Sequence, residues 1–165
     1  MKAGVLALVA IALSGCGLKP LYAEGAGGSV VAGVRSVTVA PIEGRVGWLV
    51  RNALVDRLGG EPGSAVRYRL QVELDDDITS LGIRGDRAAT RERRSLRARY
   101  QLVEASTGAV VLDATAGSDA GIDVVSSEYA TLAAEQSAAE RLSTVVADQI
   151  TARIALYLSR APTAP

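Results

Sequence analysis

Residues 91–104 read Arg-Glu-Arg-Arg-Ser-Leu-Arg-Ala-Arg-Tyr-Gln-Leu-Val-Glu, and apolar and polar side chains alternate along most of this stretch. A period of two predicts a half-buried β-strand, because successive side chains of a strand point to opposite faces. The face predicted to be buried consists of Leu96, Ala98, Tyr100 and Leu102. The opposite face carries four arginines, Arg91, Arg93, Arg97 and Arg99. We expect the rest of the chain to cover the apolar face.

The segments on either side of this stretch also have the pattern of strands. Residues 66–74 alternate strictly between apolar and polar side chains, which predicts a strand with Arg67 and Arg69 on its polar side. Thr107 and Gly108 predict a turn, and residues 109–115 predict the strand that returns from it, paired antiparallel with 91–104. A β-branched segment at residues 34–42, which contains a proline near its end, predicts a short first strand.

Two further segments repeat apolar residues at intervals of three and four, which predicts amphipathic helices. The first covers residues 45–58, and the second begins after a cap at Ser126 or Ser127 and ends at Leu158 or Ser159. The predicted inner stripe of the second helix, interrupted by Gln136, is Tyr129, Leu132, Ala139, Leu142, Val146, Ile150, Ile154, Tyr157 and Leu158. The element order βαβββα predicts an α+β two-layer sandwich, with a four-stranded, mostly antiparallel sheet and two helices on one face.

The amino terminus has the pattern of a lipoprotein signal. Lys2 is followed by an apolar run that ends in Leu-Ser-Gly directly before Cys16, the chain's one cysteine. The alternatives are a membrane span, for which this run is shorter than the ~20 residues required, and an ordinary secretory signal. We predict a signal peptide at 1–15, a lipidated Cys16 with a flexible tether at 16–33, one domain at 34–160 and a tail at 161–165.

Composition excludes several kinds of site. The chain has no histidine, and lipid would occupy its single cysteine, so histidine-based catalytic sites and Cys/His zinc sites are excluded. A formal net charge of zero does not favour nucleic acid as a partner. Residues 75–77 are three aspartates, but they lack calcium-loop spacing and acidic residues at a strand end are usually solvated. We therefore predict neither a metal site nor a cofactor.

Three motifs carry a resemblance to a known family. They are Cys-Gly-Leu-Lys-Pro-Leu-Tyr at 16–22, Val-Thr-Val-Ala-Pro-Ile at 37–42, and Glu-Tyr-Ala at 128–130 leading into Ala-Asp-Gln-Ile at 147–150. The chain resembles the lipopolysaccharide-assembly lipoproteins, the LptE (formerly RlpB) family, in its short alphaproteobacterial form. A departure is Leu18, where the family usually has phenylalanine.

The resemblance implies a non-enzymatic outer-membrane lipoprotein that lies inside the LptD β-barrel, helps it assemble and assists delivery of lipopolysaccharide. Its implied partners are LptD, lipopolysaccharide and the outer membrane. Gly17 also favours the outer membrane, because an aspartate directly after the lipidated cysteine would favour retention in the inner membrane. The implied fold, four strands with two helices on one side, agrees with the predicted element order. An auxiliary lipoprotein of a lipid-transporting ABC system is the alternative. An enzyme is disfavoured, because no paired catalytic arrangement stands out.

The arginines at 91, 93, 97 and 99 have two interpretations. They could form a solvated sheet surface that resists aggregation by its charge. They could equally form a binding surface for the phosphates of lipid A, which guanidinium groups contact in pairs of hydrogen bonds. Arg67 and Arg69 would widen this surface if their strand pairs with 91–104. The sequence leaves both interpretations open.

Overall fold

The computed structural model describes residues 33–59, 65–83 and 89–160. Its elements, in chain order, are β1 (Val37–Val39), α1 (Gly44–Leu58), β2 (Tyr68–Ile83), β3 (Ala89–Glu104), β4 (Val110–Asp123) and α2 (Glu128–Arg160). The predicted signal peptide, Cys16, the tether up to residue 32 and the tail at 161–165 lie outside the described residues. The predicted α+β class and element order are confirmed.

The four strands form one mixed sheet in the order β1-β2-β3-β4. β1 is parallel to β2, while β2, β3 and β4 follow one another antiparallel. Both helices pack on the same face of this sheet, as predicted. We call the end of the sheet at Tyr68, Glu104 and Val110 the base, and the end at Ile83, Ala89 and Asp123 the tip.

Strand lengths differ from the prediction. β1 is shorter than the predicted 34–42 because residues 33–35 form a helical turn, closed by the Ser36 N–H on the Gly33 carbonyl at 3.1 Å. β2 and β4 are longer, since both pair with β3 towards the tip. The aspartates at 75–77, predicted at a strand end, therefore lie in the middle of β2. Pairing with a neighbour holds these weak strand formers extended.

The core fills the space between the sheet and the helices. The four residues predicted for the inner face of β3, which are Leu96, Ala98, Tyr100 and Leu102, are all buried. They pack against apolar side chains of both helices, including Val50, Leu54, Leu58, Leu142, Val146, Ile150 and Ile154. Alternation along β3 thus decides which side of the sheet the helices cover.

The first turns of α2 depart from the predicted inner stripe. Tyr129 is 83% exposed and Leu132 is 51% exposed, whereas the buried residues of α2 begin at Ala138. The helix is 33 residues long, and its early turns lie near the polar pair Asp76 and Arg94 rather than the apolar core. Of the two predicted caps, Ser126 and Ser127, the structure has Ser127, whose Oγ accepts the Ala130 N–H at 3.4 Å. Neither described helix is long and apolar enough to cross a membrane.

Candidate functional site

The outer sides of β2, β3 and β4 form the surface opposite the helices. The four arginines of β3 that the sequence singled out all project from this surface and are exposed: Arg91, Arg93, Arg97 and Arg99. We call this row of four the arginine face. Their common side follows from their odd positions on β3, because the buried residues occupy the even ones.

Carboxylates flank the arginine face on both sides. On β2, the outward side chains opposite Arg99, Arg97 and Ser95 are Glu73, Asp75 and Asp77. On β4, the outward acidic residues are Asp113, Asp119 and Asp123. The sequence analysis missed these neighbours because alternation assigns a face to each residue but does not give the register between strands. The surface therefore carries both signs of charge rather than a purely positive patch.

Ion pairs hold three of the four arginines. Arg91 Nε lies 3.1 Å from Asp123, Arg97 Nη2 lies 2.9 Å from Asp119, and Arg99 Nη2 lies 3.1 Å from Asp113. These pairs all join β3 to β4. They involve all three of the outward carboxylates named on β4.

Arg97 is the most tightly held of the four. It also donates hydrogen bonds to the carbonyl oxygens of Leu96 and Ser118, at 3.2 and 3.0 Å. Its side chain lies across Gly117, where a Cβ atom would come within 2.5 Å of the Arg97 Cδ. The absence of a side chain at Gly117 therefore lets Arg97 lie flat on β4.

The hydrogen bonds shift the pKa values of two carboxyl groups. Bonds from Arg99 and then Gln101 lower the pKa of Asp113 below its ordinary value. Bonds from Ser95 and then Arg97 lower the pKa of Asp119 in the same way. Both groups are therefore ionised at neutral pH, and they remain partners for Arg97 and Arg99.

Arg93 has a different environment. Its neighbours across the two ladders are Thr79 and Gly121, which are both uncharged. The space above Gly121 is open, with no atom within 4 Å of where a Cβ would lie. Within the described ranges Arg93 forms no salt bridge. Arg91 is paired with Asp123, but the side chains of these two residues are 64% and 75% exposed. Within the described residues, Arg91 and Arg93, near the tip, are therefore the arginines of this row that carboxylates hold least.

Arg69 lies on the same side of the sheet but at the base, and Arg67 directly precedes β2. Arg69 is opposite Val103, and the guanidinium of Arg67 lies 5.3 Å from the ring centre of Tyr68. Gln71 and Gln101 face each other between these residues and Arg99. The structure thus brings the four β3 arginines together and leaves Arg67 and Arg69 apart from them.

A fifth arginine of this stretch, Arg94, lies on the inner face and was missed by the sequence analysis. Its Nε and Nη2 donate to the Asp76 carboxylate at 2.8 and 2.6 Å, and its Nη1 donates to the Glu135 carbonyl at 2.9 Å. The bond to Asp76 raises the pKa of Arg94. The pair lines a cleft of about 400 Å³ between the starts of the two helices. Residue 94 has an even number, like the buried residues of β3, and this was the signal in the sequence that could have placed Arg94 on the inner face.

The aspartates at 75–77 also fall on both faces. Asp76 points inward to Arg94, whereas Asp75 and Asp77 point outward beside the arginine face. Three carboxylates that point alternately to opposite sides of a strand do not converge on one ion.

Comparison with protein-family models gives a match over residues 34–154, to the model described as LptE, lipopolysaccharide-assembly. The chain belongs to this family. The match covers α1, all four strands and α2 as far as residue 154, so the resemblance drawn from the sequence motifs is confirmed. A search of curated proteins found no match.

The chain is also similar to solved structures of other lipoproteins. A candidate lipoprotein from Caulobacter crescentus CB15 is 26% identical, with a TM-score of 0.68 over 82% of this chain and 99% of that one. The minor lipoprotein of Acinetobacter baumannii is 15% identical, with a TM-score of 0.56 over 74% and 92% of the two chains. Lipoprotein B of Nitrosomonas europaea is 11% identical, with a TM-score of 0.57 over 75% and 83%. The last two share the fold.

On this LptE-family domain, Arg91 and Arg93 are suited to bind oxyanions. A guanidinium presents a planar fork of N–H donors that matches phosphate or carboxylate oxygens. Two residues apart on one side of a strand, they are separated by roughly 7 Å along β3. The arrangement can therefore contact two anionic oxygens of one ligand, or two neighbouring anionic groups.

Proposed function

We propose that this chain is an outer-membrane lipoprotein that lies inside the LptD β-barrel, helps the barrel assemble and assists delivery of lipopolysaccharide to the cell surface. The observation that carries this proposal is the LptE family match over residues 34–154. The signal sequence before Cys16 supports attachment through acyl chains, which stably anchor a protein when two or more are present. The role is a non-enzymatic one.

We further propose that the tip end of the arginine face contacts lipopolysaccharide. Arg91 and Arg93 supply the contacts. Arg93 forms no salt bridge within the described ranges, and Arg91 makes one hydrogen bond to the widely exposed Asp123, whereas Arg97 and Arg99 each make two to a less exposed carboxylate. Each charge-assisted contact that is removed from water contributes about 1.5–3 kcal/mol to binding. Arg97 and Arg99 then serve to join β3 to β4, and the base residues Arg67 and Arg69 form a separate, weaker contact.

The test compares two double variants of the full-length protein. Arg91→Gln with Arg93→Gln removes the accessible guanidiniums, while Arg97→Gln with Arg99→Gln is the matched control in the same row. Binding to purified lipopolysaccharide is measured at low and high salt. We expect the first variant to lose at least tenfold in affinity, and most of the salt dependence, while the control stays within about threefold. Equal affinities for all three proteins would leave solvation as the role of the arginine face.

The anchor and the barrel partner need separate measurements. Cys16→Ala removes the thiol that accepts the acyl group, so we expect the variant to leave the outer-membrane fraction. Crosslinking of the unaltered protein in cells, followed by purification, identifies the partner. Recovery of the LptD barrel is the expected result. Recovery of an inner-membrane permease instead would replace this proposal by the auxiliary role in an ABC system.

A further inference from the structure

β4 is the free edge of the sheet within the described part of the chain. It is 14 residues long and pairs with β3 on one side only. In an antiparallel pair, backbone groups alternate between bonding the partner strand and pointing away from it. A long edge with such unpaired groups is a template on which another strand can pair.

One side chain covers the centre of this edge. Gln149 of α2 accepts the Gly117 N–H on its Oε1 at 3.0 Å and donates from its Nε2 to the Gly117 carbonyl at 3.3 Å. A glutamine amide offers one acceptor and donors, as a peptide group does, so it takes the place of a neighbouring strand at this residue. Gln149 is exposed and lies on the helix surface, where it can leave the edge without disturbing the core.

The sequence of β4 is nearly symmetric about Gly117. If two copies paired antiparallel with Gly117 opposite Gly117, small residues would face small residues and no aspartate would face an aspartate. The resulting cross-strand pairs are Leu112 with Ile122, Asp113 with Gly121, Ala114 with Ala120, Thr115 with Asp119, and Ala116 with Ser118. Like charges directly opposite destabilise a sheet, so their absence favours this register.

The helix above the edge adds an apolar contact. Val145 and Leu156 are each 40% exposed, and they lie four residues before and seven residues after Gln149. These spacings place both on the flank of α2 that carries Gln149 over β4. In the symmetric pair this flank would meet the same flank of the second helix, which would cover both side chains.

We propose that the β4 edge is a self-pairing surface for a second copy of this chain, and that Gln149 is the latch that keeps it closed. Opening the latch exchanges two bonds to the glutamine for two bonds to the partner strand. The pairing continues the sheet through both copies and places their helices on one side. This inference is independent of the proposed role in lipopolysaccharide delivery.

The test uses full-length protein in detergent, with reporter cysteines at facing positions. Chains carrying Thr115→Cys are mixed with chains carrying Asp119→Cys under mild oxidation, with Gln149 or with Gln149→Ala in both. Alanine has the highest helix propensity, so this change on the surface of α2 leaves the helix intact. We expect the yield of the mixed disulfide to rise at least tenfold on removal of Gln149.

Two controls make the result specific. Protein without added cysteines measures any background from Cys16, and Thr115→Cys chains alone should show no rise because residue 115 does not face itself in the predicted register. Sedimentation should give a shift from monomer to dimer in the Gln149→Ala protein. Equal yields with and without Gln149 would overturn the latch. A rise that is as large with Thr115→Cys alone would overturn the register and the proposal with it.

Discussion

The two faces of the sheet hold chemically identical ion pairs in different surroundings. Arg94 and Asp76 lie on the helix side, where their side chains are 12% and 25% exposed. Arg99 and Asp113 lie on the outer side, where the values are 63% and 40%. Both arginines belong to β3 and are five residues apart, so the backbone that presents them is the same. The two pairs differ mainly in burial, and Arg94 additionally donates to the Glu135 carbonyl.

Burial should decide how much each pair contributes to stability. An exposed pair exchanges favourable contacts with water for similar contacts with its partner, so its net contribution is small. When one member of a pair that is shielded from water is removed, the other member is left as an unpaired charge with little access to water. This lowers the stability of the fold strongly. The inner face therefore determines whether the domain folds, while the outer face can change its charges with little effect on folding.

Val146→Asp should have the largest effect. Val146 is completely buried on the sheet side of α2, and an unpaired carboxylate there costs several kcal/mol, out of a total stability of roughly 5–15 kcal/mol for a domain. The matched control is Val145→Asp, at the neighbouring and partly exposed position. We expect the first variant to lose its cooperative unfolding transition and the second to keep it. A native-like NMR spectrum for Val146→Asp would show that the core lies elsewhere.

Arg94→Ala should have the next largest effect. It removes three hydrogen bonds and leaves the Asp76 carboxylate without its partner, at a cost of about 1–3 kcal/mol. Arg99→Ala is the control, and its midpoint in urea should be close to that of the unaltered protein. A double-mutant cycle with Asp76→Asn gives the coupling between the two inner residues. Equal losses for Arg94→Ala and Arg99→Ala would refute the role given to burial.

The same comparison explains what the sequence could predict. The alternation of apolar and polar residues predicted that Leu96 and Tyr100 lie inside and that the four arginines lie outside. This was possible because the side of the sheet on which a residue lies depends only on whether its position along its own strand is odd or even. The even position of Arg94 would also have placed it inside, but this residue was missed, because a charged side chain in an apolar stripe has no evident partner until another strand is known. Its partner, Asp76, lies in a segment whose acidic sequence does not favour a strand.

Contacts between strands could not be predicted in the same way. The ion pairs of the arginine face depend on the register of β3 and β4, which is set by the turn and by the whole ladder. The tip half of β4, Ala-Gly-Ser-Asp-Ala-Gly, is poor in strand-forming residues and becomes a strand through its pairing with β3. Exposure of Tyr129 and Leu132 likewise depends on where the core ends beneath α2.

The smallest effect is expected at Asp113 on the outer face. Bonds from Arg99 and Gln101 lower the pKa of this carboxyl group in the folded protein. Because the folded pKa lies below the unfolded value of about 3.9, the contribution to stability is present above that pH and is lost as the pH falls through the folded pKa. Arg99→Gln should therefore raise the Asp113 pKa, measured by NMR titration of its carboxyl carbon, and leave stability at neutral pH almost unchanged. Asp119 is the internal control, since its nearest donors are Ser95 and Arg97 and its pKa should stay low. An unchanged Asp113 pKa would mean that Gln101 alone lowers it, and that the outer ion pair contributes nothing even to its own partner.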